Sequence, residues 1–152
     1  MTSQEGVSMI YFKFHGEPVG KGRPKITTRG QFAHAYTPKK TKAFEEAIKF
    51  EFMSSTSERM PVYEKDIPLK IEMEFGFEVP KSYSKKKREA CLRGEIQHTK
   101  RPDADNIAKA VCDALNGYAF EDDSQIVFMQ LEKVYSEESY VEVRIYPRDW
   151  GD

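Results

Sequence analysis

Apolar and polar positions alternate along "SMIYFKFHG", residues 9 to 16, with Ile10, Phe12 and Phe14 on one side and Tyr11, Lys13 and His15 on the other. A period of two is that of a half-buried strand, and Gly16 ends it. The alternation returns in "IPLKIEMEFGFEVP", where Leu69, Ile71, Met73 and Phe75 interleave with Lys70, Glu72 and Glu74. Between these strands the period changes. In "TPKKTKAFEEAIKFEFM", Phe44, Ala47, Ile48 and Phe52 give a helix its apolar side, with Thr37 placed as N-cap and Pro38 at the first helical position. "SKKKREACLRG" reads as a short basic helix closed by Gly94, and a further helix begins near Asp105. "QIVFMQLEKVYS" and "SYVEVRIYP" read as two strands joined by a short turn around Glu137 and Glu138.

The Gly-, Pro- and Arg-rich "GEPVGKGRPKITTRGQF" reads as a long loop or ribbon, and residues 54 to 66 as a polar connection. Residues 1 to 8 are expected to be a flexible tail, and 9 to 152 a single domain. The order βαβ, short α, α, ββ predicts an α/β (α+β) fold, a mixed sheet packed by helices. Phe44, Phe52, Phe75 and Phe77 are assigned to core or interface. Phe50, Phe77, Tyr135 and Tyr146 exceed what one small core needs and are candidates for an isologous surface.

On a wheel of about 100° per residue, the helix from Asp105 divides into two arcs. Ile107, Val111, Ala114, Leu115 and Tyr118 form an apolar one. Asp105, Asn106, Lys109, Asp113 and Asn116 form a polar one, with Asp–Lys–Asp at successive i,i+4 steps. Gly117 is placed for the left-handed residue that follows a helix. Pro102 biases the preceding segment toward an extended or turn form, in which Asp103 and Asp105 can point the same way. "EDD", residues 121 to 123, lies just before a strand, where an aspartate can return to the helix start.

Carboxylates that converge repel one another unless a cation lies between them. An oxygen-only ligand set favours magnesium or manganese over zinc. Magnesium takes one or two carboxylates and fills its remaining positions with water and substrate phosphate, so such a cluster beside a lysine suits phosphodiester hydrolysis.

Composition narrows the partner. The net charge is −1, but residues 1 to 101 carry a balance of +7 and residues 102 to 152 one of −8. A basic stretch followed by an acidic one fits a nucleic-acid partner beside an acidic site. With 39% hydrophobic and 32% charged residues, and no apolar run near the roughly 18 residues of a membrane span, no membrane role is expected. Cys91 and Cys112 lack metal-like spacing, and the N-terminus lacks a signal-peptide pattern, so the expected location is the cytoplasm, associated with the nucleoid. "GKGRPK" lacks Walker spacing and "DADN" lacks the calcium-loop pattern, which removes both classes. His15, His34 and His98 are scattered and read as loop or surface residues, and Trp150 as a C-terminal docking contact.

"PDADNIAKAVCDALNG" followed by "EDDSQIV" resembles the RusA family of Holliday-junction endonucleases. That family carries D-x-D-N-hydrophobic-x-K-x-x-x-D-A-L and then D-D-x-Q-[IV]. "GRPK" and "YTPKKTKAFE" are similar to phage and prophage members, and the resemblance runs from about residue 10 to 147. It implies Asp103, Asp105 and Asp123 as catalytic metal-binding residues, with Asp122 a further candidate contact. It implies Lys109 as the catalytic lysine, and Asn106 and Asp113 as support. It implies a magnesium cofactor, with manganese able to replace it and no organic cofactor. The partners implied are a four-way DNA junction and a second copy of the chain. Candidate DNA-phosphate contacts are Lys21, Arg23, Lys25, Lys85, Lys86 and Lys87, with Lys100 and Arg101 beside Pro102, where some members carry an arginine. Arg29, Lys39, Lys40 and Lys42 extend the track. The competing readings are a fork- or flap-preferring nuclease and a junction-binding protein without cleavage.

Overall fold

The computed structural model describes residues 9–22, 25–29, 32–36 and 38–149, with 25–29 and 32–36 as backbone alone. β4 (Leu69–Glu78) is the strand around which the sheet is built. It pairs in parallel with β5 (Ile126–Ser136) and antiparallel with β6 (Tyr140–Pro147). β1 (Ile10–His15) closes the far edge against β6, giving the order β1-β6-β4-β5. Leu69, Ile71, Met73 and Phe75 of β4 are buried on one face, as a period of two requires when that face is covered. The mixed sheet and the α+β class thus follow the sequence pattern.

One connection differs from expectation, and one is narrowed. β5 and β6 are joined by the expected short turn, yet they are not neighbours, because β4 lies between them. The turn therefore crosses about 10 Å, two strand spacings. The basic segment after β1 is a ribbon: β2 (Lys25–Arg29) pairs antiparallel with β3 (Phe32–Tyr36), Lys25 opposite Tyr36. Thr37, residues 1–8, Arg23 and Trp150 lie outside the described residues.

Three helices cover the apolar face. α1 (Lys39–Ser55) has Pro38 at its cap position and buries Phe44, Ile48 and Phe52. Phe52 meets Phe12 edge-on at 6.2 Å between centroids, and Phe44 meets Phe14 at 5.8 Å. α2 (Lys85–Leu92) starts at Ser84, whose hydroxyl accepts from the Lys87 N–H. α3 (Ala104–Leu115) is strongly two-sided, with Ile107, Ala108, Ala110, Val111, Cys112, Ala114 and Leu115 buried. It packs against α1 and β5. Gly117 takes φ 86°, the left-handed conformation that only glycine adopts without strain. Of the four apolar residues assigned to a surface, Phe50 is 68% exposed, whereas Phe77 and Tyr146 are buried. The larger exposed apolar group is Val127, Phe128 and Met129, on the edge strand β5.

The connection from 56 to 68 is less polar in effect than its composition. Tyr63 is fully buried; its N–H donates to the Ala119 carbonyl at 2.9 Å and its hydroxyl to the Ile145 carbonyl at 3.0 Å. Burial pushes the phenol pKa well up, so it stays a donor. Tyr63→Phe removes that bond alone and should lower unfolding free energy by about 0.5–1.5 kcal/mol in a urea titration. Tyr63→Ala also leaves a cavity and should cost about 3–5 kcal/mol.

Candidate active site

The start of α3 carries the sequence motif. Asp103 occupies the N-cap position, and its backbone carbonyl accepts from the Ile107 N–H at 3.1 Å. Its carboxylate makes no capping bond, so it is free to bind something else. Asp105 lies in the first turn, where the positive end of the helix dipole favours a negative charge. Asp103, Asp105, Asn106 and Lys109 are all exposed on the side of α3 opposite its core face. Asp103 and Asn106 line a cleft of about 910 Å³, together with Lys40, Thr41, Arg101 and Pro102.

Three backbone segments converge on this helix, and each is held by one buried or half-buried polar side chain. The first is the loop after β1. Its Lys21 N–H donates to the Asn106 carbonyl at 3.0 Å. A Cβ on Gly20 would stand 3.0 Å from that of Pro102, so any larger residue would push the two segments apart by a few tenths of an ångström. Lys21 Nζ is 3.0 Å from Glu45 Oε2 and 3.0 Å from Asp113 Oδ2. Burial lowers the Lys21 pKa, but the bonds to Asp113 and Glu45 outweigh it and hold the ammonium above its ordinary value. Lys109 Nζ is farther from the same Asp113 oxygen, at 3.8 Å, and its side chain is 63% exposed. Asp113 therefore pairs more closely with Lys21 and leaves the Lys109 ammonium largely in water.

The second segment is the turn before Asp103. Lys133, on β5, donates from Nζ to the Lys100 carbonyl at 2.7 Å and to the Pro102 carbonyl at 3.0 Å. The third is the turn at 121–125. The Gln125 side-chain oxygen accepts from the N–H groups of Glu121 and Asp122, and its nitrogen donates to the carbonyls of Glu64 and Ile67. Asp122 caps the 3₁₀ helix Asp123–Gln125 through the Ser124 N–H at 3.0 Å. That bond holds the Asp122 carboxyl below its usual range. Asp123 has no such duty. Burial pushes the Cys112 thiol of α3 up to about 12, and the charge of Asp123 is the next contributor, so Asp123 lies within electrostatic reach of that helix.

Among the described residues, no group of three or more His, Cys, Asp or Glu side chains is close enough to hold one ion together. The donor set is oxygen-only and anchored by free carboxylates at a helix start. It fits a hard ion held by one or two carboxylates plus water and substrate oxygens, and does not form a closed cage.

Among the other candidates, Lys85, Lys86 and Lys87 are exposed on α2. Lys100 Nζ donates to the Tyr83 hydroxyl at 2.9 Å, and Lys87 Nζ stands 3.9 Å over the same ring. Tyr83 thus gathers cations from two segments into one patch. Arg101 is exposed at the cleft, Lys25 is described as backbone only, and Arg23 lies outside the described residues. Sequence reasoning missed Lys133, Glu45 and the role of Gln125. Gln125 had a signal, its place in the D-D-x-Q segment. Lys133 had none, being an ordinary residue of an alternating strand.

The fold and site define a small α+β domain that presents carboxylates and a lysine along one side of a helix. The family profile Endodeoxyribonuclease RusA matches residues 15–146. The chain belongs to the RusA endodeoxyribonuclease family. It is 38% identical over 138 residues to "Uncharacterized protein YqaN" of Bacillus subtilis (strain 168), covering 90% of this chain and 94% of that one. It is 33% identical over 84 residues to "Crossover junction endodeoxyribonuclease rusA" of Lactococcus phage r1t, covering 55% and 57%.

Lys21→Met should cost about 1.5–3 kcal/mol, because it leaves Glu45 and Asp113 without their shared cation. Combining it with Glu45→Gln should cost less than the sum of the two single changes, a coupling of at least about 0.5 kcal/mol in chemical unfolding. The Lys21 pKa is raised on folding, so its contribution is complete below the ordinary lysine pKa of 10.5 and fades as pH rises through the folded value. The gap between wild type and Lys21→Met should be flat through neutral pH and narrow in strong alkali.

Proposed function

We propose that this protein is a divalent-metal-dependent endonuclease that resolves four-way DNA junctions by paired strand cleavage, acting as a homodimer in the cytoplasm. The observation that carries the reading is the side of α3 on which Asp103, Asp105 and Lys109 are exposed, in a chain of the RusA family. The phage relative is named a crossover junction endodeoxyribonuclease. One or two of Asp103, Asp105 and Asp123 would hold magnesium, or manganese in its place, with water and phosphate oxygens filling the remaining positions. When bound, the ion supplies Lewis-acid polarisation of the scissile phosphate.

The protein's own groups do the rest. The Lys109 ammonium stabilises charge that develops on the phosphoryl oxygens. Asp113 and Asn106 support this side of α3, Asp113 through Lys21 and Asn106 through its carbonyl. Lys85, Lys86, Lys87, Lys100 and Arg101, with Lys25 and Arg23 on the ribbon side, contact backbone phosphates and set the register of the DNA without reading its sequence. Lys21 belongs with them by charge, but its ammonium is engaged by two carboxylates, and its role is to anchor the loop.

A four-way junction is approximately two-fold symmetric, so paired cuts need two sites related by such an axis. The exposed Val127, Phe128 and Met129 on the free edge of the sheet support a second copy as partner. Sedimentation at micromolar concentration should give about 35 kDa, twice the 17.6 kDa chain.

The deciding experiment incubates the protein with labelled four-way junction, fork and duplex, with magnesium and with a chelator. Symmetric cuts in the junction arms that vanish with chelator are expected. Cutting confined to forks would instead identify a fork nuclease, and junction binding with no cutting under any metal would leave a binding protein. Asp103→Asn, Asp105→Asn and Asp123→Asn should each lower the cleavage rate by about a hundredfold or more while leaving junction affinity intact or raised. Asp122→Asn should cut normally, because asparagine caps as well as aspartate, and Asp122→Ala should lose about 0.5–2 kcal/mol of stability. Loss of cleavage in Asp122→Asn equal to that in Asp123→Asn would contradict this division.

A further inference from the structure

Asp103 sits between two peptides that are held by different parts of the chain. The peptide after it is set by α3, through the bond from the Ile107 N–H to the Asp103 carbonyl at 3.1 Å. The peptide before it belongs to the turn, and its carbonyl, that of Pro102, accepts from Lys133 Nζ at 3.0 Å. The same ammonium donates to the Lys100 carbonyl at 2.7 Å, so it grips the turn on both sides of Arg101. We propose that Lys133 is a positioning residue for the metal site: by fixing the Pro102–Asp103 peptide it aims the Asp103 carboxylate at the cation and keeps it off the N-terminus of α3. The proposal rests on the reading of Asp103 as a metal-binding residue and adds to it a residue that acts only through Asp103.

Three observations carry it. The first is how little else holds the turn. Lys100, Arg101 and Asp103 are exposed, and Pro102 is only half-buried. The turn is a wall between two clefts, the one of about 910 Å³ that Asp103 lines and a second of about 690 Å³ lined by His98, Lys100, Arg101 and Pro102. Among the described residues, no backbone–backbone hydrogen bond reaches residues 98–102. The turn also has the approach of Gly20 to Pro102 and the exposed bond from Lys100 Nζ to the Tyr83 hydroxyl. Both involve side chains of the turn, so neither sets the orientation of a peptide.

The second is the cost of a lysine at this position. Lys133 stands opposite buried Phe75 in the parallel ladder, and Leu131 and Tyr135, two positions away on the same face, pack against the core. Its ammonium is 5.7 Å from the centre of the Phe77 ring. Among the described residues no carboxylate forms an ion pair with it. A half-buried ammonium with carbonyl partners alone loses hydration without gaining a counter-charge, whereas a methionine of similar length would fill the same space without that loss. The lysine is explained by what its donors hold.

The third is the state that Lys133 excludes. An aspartate at an N-cap ordinarily turns its carboxylate onto the N–H groups two and three residues on, here those of Asp105 and Asn106. Asp103 has ordinary cap dihedrals, φ −70° and ψ 144°, yet makes no such bond. A capping carboxylate is a poorer ligand, because helix N–H groups compete with the cation for its oxygens. Peptides are planar, so fixing the one on each side of Asp103 fixes the direction of its Cα–Cβ bond. Lys133 supplies the half of that constraint that α3 does not.

The test first follows Mn²⁺ alone, in protein free of DNA, by the broadening it causes in the amide signals of Asp103, Ala104 and Asp105. Lys133→Met should need roughly 10- to 100-fold more Mn²⁺ for the same broadening, with the rest of the spectrum dispersed as in wild type. In single-turnover cleavage of the four-way junction at subsaturating Mg²⁺ it should lower the rate by a like factor, with junction affinity in gel shifts unchanged. Asp103→Asn and the double variant Lys133→Met/Asp103→Asn should cut at the same residual rate, because a residue that acts only through Asp103 then has nothing left to act on. A further drop in the double variant would make Lys133 a DNA contact or a general support and would overturn the proposal. So would unaltered Mn²⁺ broadening in Lys133→Met, or loss of its dispersed spectrum. In each of those events the nuclease reading stands if wild type cuts the junction. If wild type neither broadens at Asp103 nor cuts, the site and the positioning role fall together.

Discussion

Burial of the apolar side of α3 is the interaction on which the rest depends. Ile107, Ala110, Val111 and Leu115 are fully enclosed between α1 and the sheet. Burying four such side chains fixes the rotation of the helix about its axis, since turning it by one residue would put Asp105 or Lys109 into the core. Its polar side is therefore not an arrangement chosen residue by residue. It is what remains in water once the other side is buried.

Around that helix, supporting polar groups are engaged and candidate reactive groups are not. Lys21 is held by two carboxylates, Lys133 by two carbonyls and Gln125 by four backbone groups. These bonds span 24 residues from Lys21 to Glu45, 31 from Lys133 to Pro102 and 61 from Gln125 to Glu64. They bring the loop after β1, the turn at Pro102 and the turn at Asp122 to one helix. Asp103, which sits at a cap position without capping, and Lys109, whose aspartate is nearer another lysine, keep their charge available for a ligand. A functional site of this kind needs a rigid shell of satisfied groups around a few unsatisfied ones. The neighbouring aspartates differ: Asp122 caps, while the charge of Asp123 is felt at Cys112 on α3.

Much of this was legible in the residue pattern. The alternations at 10–14 and 69–75, the two arcs of α3, the left-handed Gly117 and the acidic cluster at a helix start were all readable because they are local: a period of 2 or 3.6 states which side of an element is buried. The same pattern does not state what covers that side. It left β5 and β6 as apparent neighbours when β4 separates them, and it read Lys21 as a free basic residue when two carboxylates surround it. It placed His98 in a loop, where it lies, but did not state that its ring stacks on a phenylalanine of β4.

The sequence by itself determined the elements, the family and the identity of the groups that carry charge at α3. Only the tertiary structure decided which of those charges are already neutralised, which backbone turns set the first aspartate, and where the cleft continues past it. The reason is range. Periodicity and motif spacing act within a turn or two of chain, whereas ion pairs, carbonyl pins and ring stacks join residues tens of positions apart, and their energies depend on burial that no local window of sequence contains.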